Sequence, residues 1–285
     1  MINSQAQQES LVQRGLATKK VHGDFSTYKY SRKVMYDYLW EKEPLTLECR
    51  GHTYFNPTGE LVLAAPRKTF NYLENGNFKD LPLDTQVDAF RKYNGFLANA
   101  RMFNGELIVG TTGTLTSSFA EEARRLILKS NYRVESQLTT QFEIISAGDP
   151  HVVDDGFVDQ AVPLQCRLDG GKTIPNSVIR DNYTTLSNML KYAKSAKHEG
   201  WMLHFDYQGQ RHIMKLKTDY YVNKKKIMRA TDLKVSQMFN GNSFHKDMPV
   251  QWQDVVETIK YNFTEETWKS FTDQERRTYI EEIYG

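Results

Sequence analysis

Four short polar segments follow one another in a fixed order along this chain. They are Lys92-Tyr93-Asn94-Gly95, Phe142-Glu143, Glu199-Gly200 and Lys215-Leu216-Lys217, separated by steps of 51, 56 and 16 residues. Taken singly, each is commonplace. Lys92 would be a surface lysine beside a turn, and either glutamate an ordinary exposed one. The order carries the information, because a site that uses all four must be assembled from distant strands by one body. Lysine followed by Asn-Gly permits a tight turn that holds an amine rigidly while the glycine leaves room for a ligand. Lys215 and Lys217 are two apart in a strand-like run, so both ammonium groups leave the same face. They repel unless an anion lies beside them, and together they would depress the pKa of a neighbouring lysine. A lysine so treated is a nucleophile. A carboxylate beside a triphosphate works through Mg²⁺ that bridges phosphate oxygens.

The remaining pattern reads as α+β. A hairpin is expected over residues 45–65, with strands at Leu45–Cys49 and Leu61–Leu63 around the turn Asn56-Pro57-Thr58-Gly59. More strands are expected over 85–110, with Asn104-Gly105 as a hairpin turn. Ser118–Lys129 reads as a helix with an acidic start and basic end. Leu138–Ser146 reads as a strand, and Tyr183–Lys197 as a helix striped by Leu186, Met189, Leu190 and Ala193. Trp201–Tyr207 and His212–Tyr220 should pair about Gln208-Gly209-Gln210. Beyond Lys226, Trp252, Val255, Val256 and Ile259 recur at helical spacing, and Thr272-Asp273-Gln274-Glu275 is a capping box opening a last helix. The expected division is an α+β body over 1–226 and a small all-helical domain over 227–285.

The 285 residues can bury a core without staples, and the two cysteines, Cys49 and Cys166, show no metal-ligand spacing. A reducing compartment, no signal segment and no membrane span are the expectations. A net charge of +2 rules out a globally basic chain, but Lys19-Lys20, Lys215/Lys217 and Lys224-Lys225-Lys226 leave room for local basic grooves.

These segments resemble those of the bacteriophage RNA ligase 1 family, within the covalent nucleotidyltransferases. Glu48-Cys49-Arg50-Gly51 is similar to its upstream ECRG element, and Pro66-Arg67-Lys68-Thr69-Phe70-Asn71 to the segment that follows. Lys92-Tyr93-Asn94-Gly95 resembles motif I, Phe142-Glu143 motif III, Glu199-Gly200 motif IV, and Lys215 to Tyr221 motif V. The likeness spans residues 45 to about 222. It implies an ATP-grasp-like adenylation fold of antiparallel sheets flanked by helices. It further implies ATP-dependent joining of RNA 5′-phosphate and 3′-hydroxyl ends, a form of RNA repair, through an AMP linked to Lys92. Lys92, Glu199, Lys215 and Lys217 would be catalytic. Arg50, Lys68, Phe70, Asn94, Gly95 and Glu143 would join them around the nucleotide. Glu199 and Glu143 would hold Mg²⁺ or Mn²⁺. The expected partner is single-stranded or nicked-loop RNA, tRNA included, handled by a monomer in the cytoplasm of a phage host. The alternatives are a DNA ligase, an RNA-capping guanylyltransferase, or an inactive RNA-binding homologue. Two positions depart from the family. Asn94 replaces the usual aspartate of motif I, and Thr112 stands in Val109-Gly110-Thr111-Thr112-Gly113 where a relative has a lysine.

Overall fold

The computed structural model describes residues 2–149, 151–156, 158–241 and 243–284. In chain order the elements are α1 Gln5–Gln13, β1 Ala17–His22, β2 Phe25–Tyr30, α2 Arg32–Tyr36, β3 Arg50–Phe55, β4 Glu60–Leu63, β5 Gln86–Lys92, β6 Phe96–Phe103, β7 Glu106–Gly110, α3 Ser118–Lys129, β8 Leu138–Ile145, β9 Gln160–Leu168, β10 Thr173–Pro175, β11 Arg180–Thr185, α4 Leu186–Ser195, β12 Gly200–Tyr207, β13 Gln210–Lys217, α5 Asp219–Met228, α6 Asp232–Asn240, α7 Val250–Asn262, α8 Glu265–Ser270 and α9 Asp273–Tyr284. The expected α+β class holds: antiparallel sheets flanked by helices, with a helical carboxy-terminal region. Among the described residues, no helix is long and apolar enough to cross a membrane.

The chain divides into two compact units, one of residues 1–70, 95–147 and 157–180, the other of residues 71–94, 148–156 and 181–285. The first unit holds a four-stranded sheet in the order β1-β2-β3-β4 and a five-stranded one in the order β10-β9-β8-β6-β7. Asn104 and Gly105 take φ of 49° and 82°, the paired left-handed residues of the tight turn expected between β6 and β7. Helix α3 forms where the 3.6-residue pattern placed it. Ser117 accepts from the Ala120 N–H at its start, and Ala120, Ala123, Leu126 and Ile127 are buried, the last three against Ala98, Ala100, Phe142 and Ile144.

The second unit is built on a sheet in the order β11-β5-β12-β13. Val87, Ala89, Leu203, Phe205, Met214 and Leu216 on its strands pack with Leu186, Met189 and Ala193 of α4. The helical segment has its own core around Trp252, Trp268, Val256, Ile259 and Ile280. The buried Arg276 guanidinium donates to the carbonyls of Met228, Ala230 and Trp268, so it caps the end of α5 and ties α9 to it. The capping box at the start of α9 is formed: Thr272 Oγ1 accepts from the Glu275 N–H, and the Glu275 carboxylate accepts from the Thr272 N–H.

Three boundaries differ from the sequence reading. Residues 44–48 form a 3-10 turn, because Pro44 presets the first turn, and the strand starts only at Arg50. Tyr183 to Thr185 belong to β11, and α4 opens only after Thr185, whose side chain accepts from the Asn188 N–H. β13 stops at Lys217 because Thr218 turns the chain and caps α5, which takes in Tyr220. Hairpin β1–β2, helix α1 and strand β9 were not foreseen. Strand β1 buries only Ala17 at its start, so it shows no apolar alternation.

Candidate active site

In the second unit, β12 is the central strand of a three-residue row. Gly200 faces Lys92 on β5 on one side and Lys217 on β13 on the other. Gly200 has φ +139°, and a β-carbon there would lie 2.0 Å from the Leu216 carbonyl oxygen. Only glycine lets the strands close at this point. Glu199, one residue earlier, turns its buried carboxylate to the two lysines. Its Oε1 lies 2.9 Å from Lys92 Nζ and 3.5 Å from Lys217 Nζ. Its Oε2 accepts from Asn94 Nδ2 at 3.2 Å.

Asn94 uses both ends of its amide. Its Oδ1 accepts from the N–H groups of Val152 and Val153 at 2.7 and 3.1 Å. Its own N–H donates to Asp155 Oδ2 at 2.8 Å, and Arg91 approaches Asp155 Oδ1 at 3.4 Å. The residue two positions after the nucleophile candidate is thereby fixed through the 152–155 segment. An aspartate at 94 could accept these bonds but could not donate to Glu199.

Lys217 lies 4.5 Å above the Tyr221 ring, and Lys225, one helical turn further on, lies 5.7 Å from the same ring. Burial draws the Lys217 pKa below the ordinary lysine value, and Lys225 and Lys92 add to that, while Glu199 opposes it. Lys225 is lowered in the same sense, by burial first, then by Arg229 and Lys92, with Glu199 again opposing. Sequence reasoning singled out Lys224-Lys225-Lys226 only as a cluster, and the three part company here. Lys224 is fully buried on Glu281 at 2.5 Å, Lys226 lies over Phe244, and Lys225 joins Lys217. Lys215 lies two residues from Lys217 on β13, and its carbonyl accepts from the Tyr72 N–H at 2.8 Å.

The first unit carries the other candidates. Lys68 lies 4.5 Å over Phe70 and 5.6 Å over Trp40. Glu143 on β8 accepts at Oε1 from the Gly95 N–H at 3.0 Å. A β-carbon on Gly95 would fall 2.1 Å from the Ile144 carbonyl oxygen, so this glycine too is required by close approach. Arg50 opens β3, directly across from Lys29 on β2. Glu48 pairs with Arg167 at 2.8 Å, deep in this unit. Arg167 and Asp155 were missed by sequence reasoning, because their partners lie 119 and 61 residues away and no local pattern links them.

Among the described residues, no three His, Cys, Asp or Glu side chains gather where a metal ion would be held by protein alone. Mg²⁺ beside a nucleotide takes one or two protein carboxylates and completes its shell with phosphate oxygens and water. Glu199 offers one such buried carboxylate, which here faces two lysines.

This fold is the one found in ATP-dependent nucleic-acid ligases. Two forms of an archaeal ATP-dependent RNA ligase superpose with TM-scores of 0.53 and 0.55, at 14% and 13% identity, covering 98% of this chain and 75% of theirs. A putative ATP-dependent DNA ligase from Aquifex aeolicus superposes with a TM-score of 0.53 at 10% identity, covering 96% of this chain and 77% of that one. No family model matches the chain, and no curated protein does.

Proposed function

We propose that this protein is an ATP-dependent RNA ligase resembling the bacteriophage RNA ligase 1 group. It would join 5′-phosphate and 3′-hydroxyl ends through a lysyl-adenylate on Lys92. The observation that carries this reading is the meeting of Lys92, Glu199 and Lys217 around one row of β5, β12 and β13. The fold shared with RNA and DNA ligases supports it. The ordered motifs, above all Glu48-Cys49-Arg50-Gly51, favour RNA over DNA.

In the first step the Lys92 amine attacks the α-phosphorus of ATP. A P–N bond forms, the bond to the β-phosphate oxygen breaks, and pyrophosphate leaves. In the second, an oxygen of the RNA 5′-phosphate displaces Lys92 and takes the AMP. In the third, the 3′-hydroxyl attacks the 5′-phosphorus, its proton is lost, and AMP leaves. Each step is in-line phosphoryl or nucleotidyl transfer, so positioning and charge compensation do the catalysis. Lys215 and Lys217 would compensate charge at the α-phosphate, Glu143 would order the nucleotide, and Arg50, Lys68 and Phe70 would contact phosphate, ribose or base. A bound Mg²⁺, held through Glu199, would offset triphosphate charge. Residues 1–226 would form the adenylyltransferase body and 227–285 the helical domain.

The test is incubation with labelled ATP and Mg²⁺, then denaturing electrophoresis and intact mass. A covalent AMP on the parent and none on Lys92→Ala is expected, with GTP giving no adduct. Nicked RNA and nicked DNA duplexes and single-stranded RNA, offered in parallel, decide the substrate. An AMP adduct retained by Lys92→Ala refutes the assignment of the nucleophile.

A further inference from the structure

Lys29 and Arg50 are direct cross-strand neighbours on β2 and β3. Two like charges placed opposite each other destabilise a sheet. Among the described residues no carboxylate offsets them: neither side chain has an acidic partner, and the charges felt by Lys29 are Arg50, Lys20 and Arg32. Lys29 is half-buried, and burial first, then those cations, lower its pKa.

The surrounding backbone is shaped around this pair. The β2–β3 register slips between Tyr28 and Lys29, leaving Gly51 unpaired at φ +109°. A β-carbon on Gly51 would lie 2.9 Å from Thr112 Cα and 3.1 Å from the Thr111 carbonyl oxygen. Glycine at 51 therefore lets the loop after β7 lie against the residue next to Arg50. The same loop passes Lys29: a β-carbon on Gly113 would lie 3.4 Å from Lys29 Cδ and 3.9 Å from Nζ. Two cations and a side-chain-free stretch of backbone at Gly113 thus meet in one place. That is what a phosphate oxyanion needs, namely charge, donors and close backbone approach.

We propose that Lys29 and Arg50, with the loop Thr111–Gly113, form a phosphate seat, in which Lys29 supplies the cation that Thr112 lacks. The assignment of its ligand rests on the ligase reading: the phosphate belongs either to the triphosphate tail of ATP or to the 5′-end of the nucleic acid. Lys29 lies outside every motif of the resemblance, upstream of the first one, and is a binding residue of this chain in its own right.

The probe is inorganic tripolyphosphate, titrated calorimetrically into the full chain. Lys29→Ala should bind it at least about tenfold more weakly than the parent, since a charge-assisted contact is lost. Lys29→Arg should stay within about threefold, because charge and reach persist. The double variant Lys29→Ala, Thr112→Lys should recover much of the loss, which also shows that the single variant folds. Lys29→Ala binding equal to the parent overturns the seat. With the loss established, a raised KM for ATP in single-turnover adenylation places the triphosphate tail there. Normal adenylation with slow sealing of pre-adenylated RNA places the nucleic-acid end there instead. A parent protein that takes no label from ATP would sink the ligase reading and leave the titration to decide the seat.

Discussion

Lys92 Nζ and Glu199 Oε1 meet at 2.9 Å across the row formed with Gly200 and Lys217. The same oxygen also faces Lys217, and the other oxygen is held by Asn94. Glu199 therefore orders three side chains in the resting protein. On the proposed ligase reading, a nucleotide and metal ion that engage this carboxylate would release its hold on the Lys92 amine.

Glu199→Gln tests this coupling. The amide keeps the shape but removes the negative charge that faces the two ammonium groups. Adenylation should slow by about 10²–10³-fold, the scale of a lost electrostatic contact in a buried site. Raised Mn²⁺ should recover part of it, and sealing of pre-adenylated RNA should slow as well. Single-turnover rates matching the parent at all three steps would exclude a role for Glu199.

Gly200→Ala tests the row itself. The added β-carbon has to clear the Leu216 carbonyl, 2.0 Å away, from a backbone at φ +139°. The nearest atoms are all backbone of β13, so no flexible side chain can yield. The expected loss is about 2–4 kcal/mol of stability, the range for strain at a special backbone position. Denaturant unfolding measures it directly. A midpoint unchanged from the parent would mean that β12 and β13 are not closed as described.

Asn94→Asp introduces the residue usual in the family that this segment resembles, and the expected result is a pH-dependent penalty. The new carboxylate keeps its bonds from Val152 and Val153 but sets an oxygen where Nδ2 donated to Glu199. Two facing carboxylates bind a shared proton more tightly than either alone. Their folded-state titration is thus raised above the unfolded one. The folded state then holds more protons through the mildly acidic range, and relative stability falls as pH rises through it. The penalty should be about 1–3 kcal/mol at pH 8 and smaller at pH 5.5, as for a lost buried hydrogen bond. Unfolding curves for both proteins at the two pH values decide it, and a penalty independent of pH counts against the account.

Strands and helices with strong local signals were legible from sequence. The turn at Asn104-Gly105, the amphipathic α3 and the stripe Trp252, Val255, Val256, Ile259 on α7 each rest on neighbours within one turn or hairpin. The order Lys92, Glu199, Lys217 was legible as a motif, and the structure brings these three together. What tied them was not legible. Asp155 holds Asn94 from 61 residues away, and Lys225 reaches Lys217 only because α5 starts at Thr218 and turns both over Tyr221. Reading His212–Tyr220 as one strand hid that turn. Likewise the reading of 45–49 as a strand hid the 3-10 turn that precedes Arg50.

The link between Lys225 and Lys217 gives the last prediction. On the proposed reading Lys217 compensates phosphate charge in its protonated form, and its pKa is drawn below the ordinary lysine value by burial, with Lys225 and Lys92 adding to it. Removing Lys225 takes away one of those two like charges. The Lys217 pKa then rises, and the alkaline limb of the adenylation profile, where Lys217 loses its proton, moves to higher pH in Lys225→Met. The maximal rate falls at the same time if Lys225 also faces phosphate. Lys217→Arg supplies the control: a guanidinium does not titrate in this range, so that limb should vanish even where the rate is low. Stability follows the same sign. A lysine with a depressed folded-state pKa opposes folding below that pKa, and the cost is relieved as pH climbs toward its unfolded value. The parent should therefore gain more stability than Lys225→Met between neutral and strongly alkaline pH. Adenylation rates across that range, with the two variants beside the parent, settle the matter: alkaline limbs that coincide for parent and Lys225→Met would show that Lys225 does not act on Lys217.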